Sequence, residues 1–206
     1  MKTQLGPITK LLQRNGVATF DFYEGSIPTE AGPGVSGMFD GPYYSFFTWP
    51  PSSSEDDEQS IHEACEDLED FLVATGPYDG ILGFSHGSTL LAEFLCNYAR
   101  RNPGIEPLCR CAIFLNAIPP FRMGTDGKPV IDYGLLRHFP PIPSLHVIGQ
   151  KDFVLEYSKI LYNSRTPDLA TLVTHDKGHE VANNQRTLQE IVKAFEDLSI
   201  RIALGH

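Results

Sequence analysis

The stretch GPYDGILGFSHGSTLLAEFL (76–95) most constrains what this chain can fold into. Its first half holds a short apolar run, GILGF (80–84), read as a buried strand. From about His86 to Arg101 the residues Leu90, Leu91, Phe94 and Leu95 recur at helical spacing. No loop separates the two, so a strand must turn abruptly into a helix at Gly83-Phe84-Ser85-His86-Gly87, a GxSxG. In such a turn the serine takes a strained backbone conformation, and small flanking residues let strand and helix approach closely. The hydroxyl is then presented at the C-terminal edge of a sheet, above the positive end of the helix. The His86 amide points where an oxyanion would form. A lone GxSxG is usually a turn. Here the apolar strand before it and the amphipathic helix after it make Ser85 a candidate nucleophile.

The rest of the chain repeats the alternation of strand and helix. Leu5, Ile8, Leu11 and Leu12 mark a first helix stopped at Asn15-Gly16, and the β-rich run VATFDF (17–22) predicts a strand. Ser54 is a candidate N-cap for a helix carrying Ile61, Ala64, Leu68, Phe71 and Leu72, whose acidic first turn reads as a solvated, well-capped face. CAIFLNA (111–117), SLHVIGQ (144–150) and TLVTH (171–175) read as further buried strands, with helices near 154–164 and 184–202. This order predicts an α/β protein with a mainly parallel sheet covered by helices on both faces. Residues 25–54 are crowded with Gly, Pro and Ser but hold Tyr43, Tyr44, Phe46, Phe47 and Trp49, so this loop has something to pack against. The proline-rich segment 118–143, with Phe121, Met123, Tyr133 and Phe139, is a candidate cap over a pocket.

At 206 residues the length suits one domain, 1–206. The formal net charge is −10, and no Lys or Arg occurs between Arg14 and Arg100. A protein that tracks a phosphate backbone needs a basic stripe to release counterions, so nucleic acid is not an expected partner. No apolar run approaches the roughly 20 residues that span a bilayer, and the opening MKTQLGPITK lacks the apolar centre of a secretion signal. A cytoplasmic location is therefore expected. Cys65, Cys96, Cys109 and Cys111 lack the paired spacing of zinc sites, so reduced, buried thiols are expected and no metal.

A serine hydroxyl needs an imidazole to take its proton and a carboxylate to fix that imidazole's tautomer. Strand-turn-helix nucleophiles are followed in chain order by the acid and then the histidine. Asp152 follows the strand SLHVIGQ, and His179 follows TLVTH. In a parallel sheet both lie on the edge that carries Ser85. Asp132 falls in the candidate cap and Glu156 inside the next helix, so neither has that placement. His175 stands four residues before His179, but Lys177-Gly178 argues against a helical metal-binding pair. His146 lies within a strand and reads as a core histidine. The His86 side chain starts a helix and need not take part in chemistry.

Together YEGSIP, PYYSFFTWPP, GPYDGILGFSHGS, AIFLNAIPPF, IPSLHVIGQKDFV and THDKGHEV span nearly the whole chain. In this order they resemble the family of serine hydrolases named in yeast, to which the ovarian cancer-associated gene 2 protein also belongs. The resemblance implies an α/β-hydrolase fold with the nucleophile at Ser85, the acid at Asp152 and the base at His179. It implies hydrolysis of a carboxylic ester or thioester without a cofactor. Fungal members include thioesterases that release polyketide chains, which adds an acyl carrier domain of a synthase as an expected partner. One departure matters: members open with a strand and an LHG-type loop that donates a second oxyanion amide, and here the chain begins at the helix. Either the sequence is shortened at its start, the favoured expectation, or a diverged member has re-paired its strands. A catalyst lacking one oxyanion donor loses roughly 10²–10³ in turnover. A weak enzyme, or a binding protein that kept the fold, is the rival expectation.

Overall fold

The computed structural model describes residues 2–32, 40–49, 54–124, 126 and 128–205, without the side chains of 2, 3, 54 and 55. In chain order the elements are α1 (Lys2–Arg14), β1 (Ile27–Thr29), β2 (Tyr43–Ser45), α2 (Ser54–Thr75), β3 (Gly80–Phe84) and α3 (His86–Arg101). There follow β4 (Cys111–Leu115), β5 (Phe121–Met123), β6 (Pro129–Ile131), α4 (Tyr133–Leu136) and β7 (Ser144–Gly149). The last are α5 (Leu155–Asn163), β8 (Ala170–His175) and α6 (Gln185–Ala203).

The central sheet is parallel, in the order β3-β4-β7-β8, with Gly80 opposite Cys111, Ala112 opposite Ser144 and Ser144 opposite Ala170. Each crossover moves one strand further in the same direction. The right-handed rule for such connections therefore puts α3 and α5 on one face, and α6 returns across the other. The side chains agree. Ala112 and Phe114 of β4 pack with Leu91 and Leu95 of α3, Leu68 and Leu72 of α2 and Leu161 of α5. The alternate residues Cys111, Ile113 and Leu115 pack with Leu5, Ile8 and Leu12 of α1 and Ile191, Phe195 and Leu198 of α6. Both faces of the sheet are thus dry, which is why β4 and β7 read as continuous apolar runs. Each fully buried Leu or Phe in these layers contributes roughly 1.5–3 kcal/mol of transfer free energy. Among the described residues this is the α/β architecture expected from the alternation.

The predicted strand at 17–22 is not formed: these residues carry no ladder hydrogen bonds. An open edge exists at β3, yet these residues are not bonded to it; β-rich composition alone does not fix a pairing. Val17, Ala18 and Phe20 instead pack as side chains against the α1/α6 layer, and the Tyr78 hydroxyl donates to Asp21 Oδ2 at 3.3 Å. The aromatic loop contains a strand pair that its composition did not announce, β1 against β2, with Ile27 opposite Ser45. Residues 33–39 and 50–53 of that loop, and the capping role read for the Ser54 side chain, lie outside the described set. The acidic first turn of α2 is not wholly solvated, since Asp57 is buried. The candidate cap is built from the antiparallel pair β5-β6 and the short α4. All four cysteines are free and buried, and burial pushes the thiols of Cys109 and Cys111 up to about 12.

Candidate active site

β3 ends at Phe84 and α3 begins at His86, so the whole turn rests on Ser85, with φ 52° and ψ −119°. That positive φ is uncommon for any residue with a Cβ and costs of order 1–3 kcal/mol unless its surroundings fix it. Three contacts fix it here. The Ser85 amide donates to Leu115 O at 2.9 Å, and the Ser88 hydroxyl reaches Gly83 O at 2.5 Å and Leu115 O at 3.2 Å. Strand and helix meet so closely at Gly83 that a Cβ there would stand 2.5 Å from Gly87 O. The first glycine of the motif is thus set by backbone approach.

The structure brings Ser85, His179 and Asp152 together. His179 Nε2 lies 2.7 Å from Ser85 Oγ, and His179 Nδ1 lies 2.9 Å from both carboxylate oxygens of Asp152. A proton on Nδ1 satisfies both contacts: Nδ1–H donates to Asp152 and Nε2 accepts from the serine hydroxyl. The Asp152 side chain is fully buried and the imidazole is 17% exposed. Oδ1 of Asp152 also accepts the Val154 amide at 2.9 Å. Phe84 and Phe153 flank the imidazole, with ring centroids 5.3 and 4.5 Å away.

Beside Ser85, the His86 ring is enclosed by the aromatic loop. Phe47 lies 3.9 Å from it, Phe46 5.8 Å and Trp49 6.2 Å between ring centroids, and Phe121 of β5 closes against Trp49 at 5.9 Å. Burial pushes the His86 imidazole down to about 4, so the ring is neutral near pH 7. Its amide belongs to the first turn of α3, where backbone N–H groups have no acceptor within the helix.

The competing residues sit elsewhere. Asp132 caps α4 by accepting the Leu135 amide at 2.9 Å, and Glu156 is paired with Lys159 at 2.8 Å on the surface. His146 is buried within β7, bonded to Ser144 Oγ at 3.1 Å and stacked on Phe114. His175 is buried at the end of β8, with both ring nitrogens unpaired among the described residues. Among those residues no group of three or more His, Cys, Asp or Glu could hold a metal ion.

One residue escaped the sequence. Asn116 ends β4 at φ 48°, 1% exposed; its Oδ1 accepts the Gly149 amide at 2.9 Å and its Nδ2 donates to Glu180 O at 3.1 Å. It ties β4 to the end of β7 and to the loop that carries His179. An Asn at a strand end, a residue type that tolerates positive φ, was the available signal.

A parallel sheet with helices on both faces and a serine on a strained strand-to-helix turn define an α/β-hydrolase. Solved structures agree: a carboxylesterase from Mesorhizobium loti superposes with a TM-score of 0.58 at 18% identity, over 94% of this chain and 81% of that one. Residues 1–191 match the family model described as serine hydrolase (FSH1), and the chain belongs to that family of enzymes. It is 66% identical over 205 residues to hydrolase phiM of Fungal sp. strain ATCC 74256, covering all of this chain and 91% of that protein. Hydrolase phiM of Talaromyces stipitatus is 48% identical, covering all of this chain and 84% of that protein. Among the described residues no helix is long and apolar enough to cross a membrane.

Proposed function

We propose that the chain hydrolyses a carboxylic ester or thioester by acyl transfer through Ser85, His179 and Asp152. The observation that carries this reading is the continuous chain of contacts from Ser85 Oγ through the imidazole to the buried Asp152 carboxylate. His179 Nε2 takes the hydroxyl proton as Oγ bonds to the substrate carbonyl carbon. The Asp152 carboxylate stabilises the imidazolium that forms, and the His86 amide donates to the carbonyl oxygen as it gains charge. Collapse of that intermediate expels the alcohol or thiol, which receives the proton from Nε2. Water, deprotonated by the same imidazole, then attacks the acyl-serine and releases the acid and the free hydroxyl. Acyl transfer of this kind needs neither metal nor organic cofactor.

Phe46, Phe47, Trp49 and Phe121 supply an apolar wall beside the nucleophile, which favours an apolar acyl chain over a charged one. The finer reading is release or trimming of a polyketide-type acyl chain, presented as a thioester on a carrier domain, in fungal secondary metabolism. Its support is the fungal origin of the similar hydrolases together with that apolar wall. A fluorophosphonate probe tests the nucleophile: the intact protein should be labelled, and Ser85→Ala should not. A folded protein whose Ser85 resists the probe would leave a binding protein on a hydrolase fold. With labelling established, acyl N-acetylcysteamine thioesters set against p-nitrophenyl esters of the same acid decide the leaving group. Faster turnover of the oxygen ester identifies a general carboxylesterase.

A further inference from the structure

Below the sheet, away from Ser85, the C-terminal end of α5 and the cap segment enclose a cavity of about 380 Å³, lined by Tyr133, Leu136, Arg137, Phe139, Pro141 and Ser164–Thr166. Pro141 and Thr166 lie just before β7 and β8. The cavity therefore opens near the N-terminal ends of those strands, whereas Ser85 stands at the C-terminal edge. β7 alone spans roughly 17 Å between the two levels. We propose that this cavity is a second binding site, taking a small organic carboxylate carried on a compact apolar body.

Arg165 sets the chemistry of this cavity. It is 9% exposed, its guanidinium lies 3.6 Å over the Phe139 ring, and its Nη2 donates to Pro140 O at 2.8 Å. Its Nε is buried without an acceptor among the described residues. Burial lowers its pKa to about 10, so it stays charged at neutral pH. A buried cation without a counter-ion costs several kcal/mol, and no acidic side chain lines this cavity. In a chain of net charge −10, acids were abundant enough to supply one. Arg137, exposed and lining the same cavity, adds a second guanidinium.

The lining decides between anions. The Arg137 guanidinium and the edge of Arg165 left by its bond to Pro140 O supply charged donors to a carboxylate, while Tyr133, Leu136, Phe139 and Pro141 offer apolar contact to the body that carries it. A phosphate dianion would need further donors, and the Ser164 hydroxyl is already committed to Leu161 O at 2.7 Å.

Titration of the ¹⁵N-labelled intact chain with sodium benzoate, followed by amide NMR, tests the site, with inorganic phosphate as the second probe. Saturable shifts are expected at residues 133–137 and 164–166 with benzoate, and none there with phosphate at equal concentration. Arg137→Ala removes an exposed side chain and should weaken benzoate binding at least about tenfold; Arg165→Lys, which keeps the charge but loses the fork, should do the same. Should Arg165→Lys fail to fold, Arg137→Ala carries the test. Benzoate shifts confined to the surroundings of Ser85, phosphate binding as tightly as benzoate, or wild-type affinity in Arg137→Ala would each overturn the assignment.

Discussion

Replacing Asn116 tests whether the end of β4 holds the loops of Asp152 and His179 in place. In Asn116→Ala the buried Gly149 amide loses its acceptor and Glu180 O loses its donor. A buried donor left unpaired costs about 1–3 kcal/mol. Alanine must also adopt φ 48°, which Asn tolerates and which costs a residue with a plain Cβ about 1–2 kcal/mol. The variant should therefore lose about 2–5 kcal/mol, a large share of the 5–15 kcal/mol typical of a domain. Asn116→Gly loses the same hydrogen bonds but not the backbone tolerance, so it should recover about 1 kcal/mol relative to Ala. Urea unfolding midpoints at constant m-value give these differences, and the fluorophosphonate labelling rate of Ser85, measured well below the transition, reports the geometry of the site. A displaced His179 loop should slow labelling on the order of 10–100-fold. If Asn116→Ala unfolds within about 0.5 kcal/mol of the wild type and labels at the same rate, the bonds at the end of β4 do not position the triad.

Other substitutions probe separate parts of the structure. Gly83→Ala forces a Cβ against the backbone of Gly87, so it should destabilise by about 1–3 kcal/mol and slow Ser85 labelling; an unchanged rate would mean the elbow can open without cost. Burial pushes the Glu93 carboxyl up to about 8, while an unfolded chain releases that proton near pH 4.3. The folded state thus holds an extra proton between these values, and stability should fall as pH rises from 5 to 8. Glu93→Gln should lose less over that interval, and an identical urea-midpoint slope in the two proteins would refute the assignment. The His86 imidazole, pushed down to about 4, behaves oppositely: the unfolded chain binds the extra proton below about pH 6.5, so acidification from pH 7 to 5 should destabilise the wild type more than His86→Phe. Trp49→Ala should lower kcat/KM for octanoyl relative to acetyl p-nitrophenyl ester by roughly tenfold, as measured by initial rates, if that ring contacts the acyl chain.

Much of this architecture was legible because it rests on local rules. The period of Leu90, Leu91, Phe94 and Leu95 marks α3, the continuous apolar runs of β4 and β7 mark strands covered on both faces, and the sense of a parallel sheet puts residues 85, 152 and 179 on one edge. What stayed hidden depends on partners far away in the chain. VATFDF has the composition of a strand, but a strand exists only where a neighbour offers its N–H and C=O groups, and no periodicity records that. β1 and β2 are three residues each, too short for an alternating pattern to register. Glu93 looks like one polar residue on the amphipathic α3, yet it is 3% exposed and accepts the Phe121 amide at 2.9 Å, anchoring β5 to the helix that follows Ser85. Asn116 is silent for the same reason: its two partners lie 33 and 64 residues away.

The two non-glycine residues with positive φ among those described, Ser85 and Asn116, follow the ends of adjacent strands, β3 and β4. They are not independent. The Ser85 amide donates to Leu115 O, and the next residue, Asn116, has its own amide on Val147 O of β7 while its side chain reaches Gly149 and Glu180. Strain at Ser85 is therefore held by β4, which is itself held by β7, whose end carries the loop to Asp152. Among the described residues β3 is paired with β4 alone. The rigidity at Ser85 comes from the buried centre of the sheet, through three consecutive strand ends, and a perturbation of β4 or β7 should reach Ser85 before one in α6 does.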